Sequence, residues 1–155
     1  MDDPVEYLTT VVRVFPDYAD SVIWFSPGPV AYEDAHISPE LARELQTWED
    51  RYYLILDDHH EVREEFSAAF DADGLSLAGR LSDELGDAFA VEYLSTGGDR
   101  TTLHRDHPGS NPVAVAAFAR MAERTRAGHA RIVEAQRNGA VFRWVASHGT
   151  DDSIR

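Results

Sequence analysis

Two apolar stripes at helical spacing, meeting at an acidic joint over residues 57–65, constrain this chain more than any other feature. After Ser38-Pro39-Glu40, the residues Leu41, Leu45, Trp48, Tyr52 and Leu56 recur at i, i+4, i+7, i+11 and i+15, one face of a 3.6-residue period. Ser38 supplies an N-cap hydroxyl, Pro39 a φ already suited to the first helical position, and Glu40 a carboxylate at the positive end of the dipole. The second stripe runs through Phe66, Phe70, Gly74, Leu77, Leu81 and Leu85. Its regularity favours a helix that continues through Asp71-Ala72-Asp73-Gly74, with a break at those four residues the competing reading, and Gly86 is a natural C-cap.

Strand chemistry flanks these helices. Thr9-Thr10-Val11-Val12-Arg13-Val14-Phe15 is β-branched enough for a strand, with helix the competing reading over residues 4–13. Pro16-Asp17-Tyr18-Ala19-Asp20 is turn chemistry, and Ser21-Val22-Ile23-Trp24-Phe25 completes an antiparallel hairpin. Ser26-Pro27-Gly28-Pro29 stops that strand, and a loop follows through His36. Phe89-Ala90-Val91-Glu92-Tyr93-Leu94 alternates as a strand. Residues 95–112 are rich in Gly, Thr and His and read as a loop, with a short edge strand near Thr101-Thr102-Leu103-His104.

Ser110-Asn111-Pro112 opens a last helix with Ala114, Phe118, Met121, Thr125, Gly128, Ile132 and Ala135 as its buried line, and Val141-Phe142-Arg143-Trp144-Val145 is a final strand. That strand is expected to lie parallel to residues 89–94. The order β-β-α-α-β-α-β specifies a mixed α+β chain. The expectation is one domain over residues 1–155, a small mixed sheet packed by about three helices.

Charge narrows the function. The net charge is −14, and no residue is Lys or Cys. Residues 1–98 hold 22 Asp and Glu against 5 Arg, whereas residues 99–155 hold 6 against 9. An acidic body of this kind repels nucleic acid and anionic lipid, so neither is expected as a direct partner. The lack of Cys excludes disulfides, thiolate metal sites and Cys nucleophiles. No basic leader precedes an apolar run and no stretch has membrane-spanning length, so a cytoplasmic location is expected.

Three chemistries compete for the acidic region. His60 and Glu64 would share a helical face at i, i+4, and His104-Arg105-Asp106-His107 offers an H-x-x-H pair. Folded together, His60, Glu64, His104 and His107 would suit zinc or manganese in a metal-dependent enzyme. Both patterns recur by chance in acidic chains, and nothing in their spacing links position 60 to 104. No G-x-S-x-G is present, and Thr96-Gly97-Gly98-Asp99 lacks the register of a phosphate cradle. A small-ligand or regulatory domain with its pocket under the 95–112 loop is a further possibility.

The favoured expectation is a binding protein without catalysis or cofactor, one that sequesters or inhibits a basic protein partner. Tyr32, Glu33, Asp34, Glu49, Asp50, Tyr53, Asp57, Asp58 and Glu61 are its expected contact residues. Tyrosines among carboxylates suit a desolvated centre that meets Arg and Lys, the physics used by immunity proteins and by inhibitors that mimic nucleic acid.

Overall fold

The computed structural model describes residues 3–139. Their elements are α1 (Pro4–Thr10), β1 (Val11–Val14), β2 (Ile23–Phe25), β3 (Gly28–Pro29), α2 (Tyr32–Ala35), α3 (Pro39–Leu54), α4 (Glu64–Leu85), β4 (Ala90–Leu94), β5 (Arg100–Leu103) and α5 (Pro112–Arg137). The sheet runs β3-β2-β1-β4-β5, with β1 parallel to β4 and the other neighbours antiparallel. This is the expected mixed α+β class, with five helices where about three were expected. The strand proposed over residues 141–145 lies outside the described residues. Within them the parallel neighbour of β4 is β1, with α3 and α4 lying between the two strands in the chain.

The differences have local causes. Residues Pro4–Thr10 are helical because the Asp3 side chain accepts from Val5 N and Pro4 begins the helix. Thr9 and Thr10 then donate their hydroxyls back to Val5 O at 2.6 Å and Glu6 O at 2.7 Å, so the β-branched run turns into strand only at Val11. Gly28 takes a φ of 112°, which allows the Ser26–Pro29 segment to fold back as a two-residue strand on β2. Tyr32–Ala35 forms one helical turn inside the expected loop.

Alternation along the strands divides the sheet into two faces. Val12, Val14, Ile23, Phe25, Val91 and Tyr93 are buried in one core with Leu41, Leu45, Trp48, Phe70, Leu81 and Phe118 from the helices. Trp48 stacks on Phe70 at 4.5 Å and sends its indole N–H to Phe70 O, which locks α3 to α4. Gly74 sits under this contact. A methyl group there would overlap the Trp48 ring and the Tyr93 hydroxyl, so the regular stripe needs a glycine at that point. On the other face Arg13 lies opposite both Trp24 and Glu92, and Tyr7 donates to Glu92 at 2.7 Å.

The last helix departs from its expected buried line. Ala114, Ala117, Phe118, Met121 and Ala122 are buried, but Ile132 is 49 % exposed. Arg120 and Arg124 of α5 line a cleft with Asp34 and His36 and pair with no carboxylate among the described residues.

Candidate functional site: an acidic, tyrosine-lined surface

The segment between the two long helices is a closed turn. Leu56 bridges Val62, Arg63 N donates to Ile55 O at 3.0 Å, and Asp57 N donates to Glu61 O at 2.8 Å. The Asp57 carboxylate is turned inward and accepts from His59 N at 2.7 Å and Glu61 N at 3.1 Å. Asp57 therefore shapes the turn, and Asp58 and Glu61 are the carboxylates it exposes. Within the turn His60 takes a φ of 62°, and α4 begins only at Glu64.

That geometry removes the helical pairing expected of His60 and Glu64. It also separates them from His104 and His107. Arg105 bonds Asp83 at 2.6 Å and Gly79 O at 3.1 Å, and Asp87 N donates to His107 O, so this loop is strapped to the C-terminal end of α4. Glu64 stands at the other end of a 22-residue helix, roughly 30 Å away at 1.5 Å per residue. Among the described residues no three His, Asp or Glu side chains are placed to hold a metal ion.

The turn meets a different neighbour. Tyr18, in the loop between β1 and β2, packs against Tyr53 with ring centroids 5.4 Å apart and against His60 at 6.5 Å. Tyr52 meets Tyr53 edge-on at 5.3 Å. Tyr18 is 62 % exposed and Tyr53 37 %, so these rings form a surface. Asp17, Asp20, Asp50, Asp58 and Glu61 are exposed on the same segments, and no Arg or His forms an ion pair with any of them among the described residues. Some carboxylates elsewhere are paired, Asp73 with Arg51, Glu40 and Glu44 with Arg80, and Asp83 with Arg105, whereas Glu33, Asp34, Glu64 and Glu65 are not among the described residues.

Ionisation follows from this arrangement. Burial, aided by the neighbouring Glu49 and Asp50 charges, pushes the Tyr32 phenol up to about 12. Burial also raises Tyr52 and Tyr53, with Tyr18, Asp17 and Glu49 adding to it. The Glu49 carboxyl rises for the same reason, burial first and then Asp50 and Asp20. Gln46 bonds one of its oxygens at 3.3 Å, and the other is buried without a partner.

The structure thus redistributes the expected contact residues. Tyr53, Asp50, Asp58 and Glu61 lie on the surface, with Asp57 beneath as its frame. Tyr32 is a core-facing side chain whose hydroxyl accepts from Val22 N at 3.2 Å, and Glu49 is 3 % exposed, so neither is an open contact. Glu33 and Asp34 are exposed on α2, where Asp34 belongs to the cleft beside Arg120 and Arg124. Tyr18, Asp17 and Asp20 stand in the sequence as turn residues, although a tyrosine between two aspartates carries the same signal that singles out Tyr53.

Behind His60 lies a cavity of about 450 Å³ lined by Phe15, Tyr52, Glu61, Phe70, Leu94 and Thr96, at the C-terminal ends of β1 and β4. It opens under the first residues of the 95–112 loop. No helix of the described residues is long and apolar enough to cross a membrane.

The molecule is a small α+β domain that exposes aromatic rings among unpaired carboxylates. Comparison with protein families gives its class. Residues 10–96 match the model described as Serratia CdiI immunity protein-like, and the chain belongs to that family. The match spans β1 to β4 and includes the whole tyrosine-lined surface. No curated protein sequence matches the chain.

Proposed function

We propose that this chain neutralises a basic protein toxin by binding it through the surface of Tyr18, Tyr53, Asp50, Asp58 and Glu61. The observation that carries the reading is the set of unpaired carboxylates gathered around two exposed tyrosines that pack on each other. Family membership supports an immunity role, and the charge supplies the chemistry of the partner.

The negative potential of this face steers a cationic partner into encounter, and Arg or Lys arriving there meets carboxylates held by no competing Arg. Tyr18 and Tyr53 provide ring faces for the same cations and an apolar body for the centre of the contact. Toxin and inhibitor meet in the cytoplasm in this account, and inhibition is by occlusion, without catalysis or cofactor.

The test uses the purified product of the reading frame adjacent to this one. The expected result is a one-to-one complex by calorimetry that suppresses that protein's toxicity when the two are co-produced. No complex, or a complex that forms equally well at low and high salt, would contradict the proposal.

A further inference from the structure

The cavity behind His60 differs in chemistry from the open face in front of it. Its volume is about 450 Å³, and it stands where the chain leaves the parallel strands β1 and β4, at Phe15 and at Ser95 and Thr96. Half-buried Phe15 and Tyr52 give it ring surface, with the buried Phe70 as a third ring. Among the described residues Glu61 is the one carboxylate in its lining and His60 the one imidazole, and no Arg borders it. His60 packs on Tyr18 and Tyr52 on Tyr53, so the cavity adjoins the tyrosine surface.

The polar groups of this lining are set to accept hydrogen bonds. The Glu61 carboxylate has no ion pair among the described residues. The Thr96 hydroxyl donates to the Asp71 carboxylate at 2.7 Å, and Thr96 N donates to it at 3.0 Å. What Thr96 Oγ1 has left for a ligand is therefore its lone pairs. Asp71 also pairs with no Arg among the described residues, so a second carboxylate stands directly behind that wall.

A group that only donates suits such a lining, and the side chains that only donate are Arg, Lys and Trp. The carboxylates select a cation. The rings select between the two cations, because a planar guanidinium stacks on an aromatic face and forks onto a carboxylate, whereas an ammonium is a compact, strongly hydrated charge. An apolar side chain in the same place would cover Glu61 and Thr96 Oγ1 without giving either a partner.

We propose that this cavity receives an arginine side chain of the basic partner, its guanidinium held by Glu61 and Thr96 Oγ1 and its stem lying against Phe15 and Tyr52. The inference rests on reading the acidic surface as the partner-binding face. It adds a pocket specific for Arg to a contact that charge alone would leave indifferent between Arg and Lys.

Two measurements test it. The first titrates the protein alone with N-acetyl-arginine amide and with N-acetyl-lysine amide at equal ionic strength, following the backbone amide resonances of Val62, Ser95 and Thr96. The arginine compound is expected to shift them with an affinity at least about fivefold above that of the lysine compound, and Glu61→Gln to weaken it by about fivefold or more. Equal shifts by both compounds, or none at these amides, would overturn the pocket.

The second compares wild type with Val62→Trp in binding the purified product of the adjacent reading frame. The indole fills the cavity and leaves the charge unchanged, so association should be preserved and a loss of about 30-fold should appear in dissociation. Circular dichroism verifies the fold, and Glu61→Gln in the first measurement decides if Val62→Trp does not fold. Val62→Trp binding as tightly as wild type would overturn the pocket and leave the acidic face standing. Wild type that takes the arginine compound but no basic partner would overturn both the face and this occupant, in favour of a free guanidinium compound.

Discussion

The ring of Tyr18 lies 5.4 Å from that of Tyr53, which joins the loop before β2 to the end of α3 in one exposed aromatic surface. Tyr18 holds a φ of 48° and His60, on its other side, a φ of 62°. Left-handed backbone at two non-glycine residues costs about 1–2 kcal/mol each. Packing between the two rings helps hold it.

If that pair is the centre of the contact, its two residues are coupled. Tyr53→Ala is expected to weaken partner binding by about tenfold or more. A double-mutant cycle with Tyr18→Ala should show a coupling of about 0.5–1.5 kcal/mol in calorimetric affinities. Strict additivity would separate the two rings energetically. Thermal stability should move little, because both side chains are at the surface.

Glu49 sets the pH response. Its folded-state pKa is raised, chiefly by burial, so between the ordinary carboxylate value and the raised value the native state binds more protons than the unfolded state. Stability from this group is therefore full below the unfolded pKa and declines as pH rises through the folded one. Glu49→Gln removes the charge and should stabilise the protein by about 1 kcal/mol at neutral pH. The difference should vanish near pH 4, as measured by urea denaturation at both pH values. Equal effects at both would place the Glu49 charge in a solvated setting.

Gly74 is the tightest packing point of the helical layer. Gly74→Ala gains helix propensity yet pushes a methyl into Trp48 and Tyr93. A net loss of about 1–3 kcal/mol is expected in chemical denaturation, with partner binding retained in the folded fraction. A gain in stability would mean that the two rings can move aside.

The helices were legible because their signals are local. Caps at Ser38 and Asn111 and the stripes of α3 and α4 depend only on spacing, and the structure keeps both caps and the stripes over Leu41–Tyr52 and Phe70–Leu85, whereas Leu56 falls in the turn and Phe66 is exposed. The joint was harder to read. His60 and Glu64 sit four apart in sequence, but the Asp57 carboxylate captures His59 N and Glu61 N and holds the chain in a turn where helical spacing has no meaning. Burial of Tyr32 was equally hidden, since Ser21 and Val22 meet its hydroxyl from another element. Tyr18 is hidden too, because Pro16 to Asp20 is turn chemistry that accounts for the segment without a binding role.

The turn itself can be tested without altering the exposed charges. Asp57→Ala deletes the acceptor for two backbone N–H groups and is expected to speed hydrogen exchange across residues 58–62. Partner affinity should fall several-fold as Asp58 and Glu61 lose their fixed positions, with a global cost of about 1 kcal/mol. Unchanged exchange would show that Leu56–Val62 and the surrounding backbone bonds suffice.

The central claim is that unpaired carboxylates on one face capture a basic partner. The most direct measurement is the affinity and association rate of wild type and of the triple variant Asp50→Lys, Asp58→Lys, Glu61→Lys for the product of the adjacent reading frame, at low and high salt. Wild-type affinity should fall about tenfold or more between about 50 and 500 mM salt, and the triple variant should bind at least about 100-fold more weakly, mostly through slower association. A triple variant that binds as wild type does, with the same salt dependence, would contradict the account.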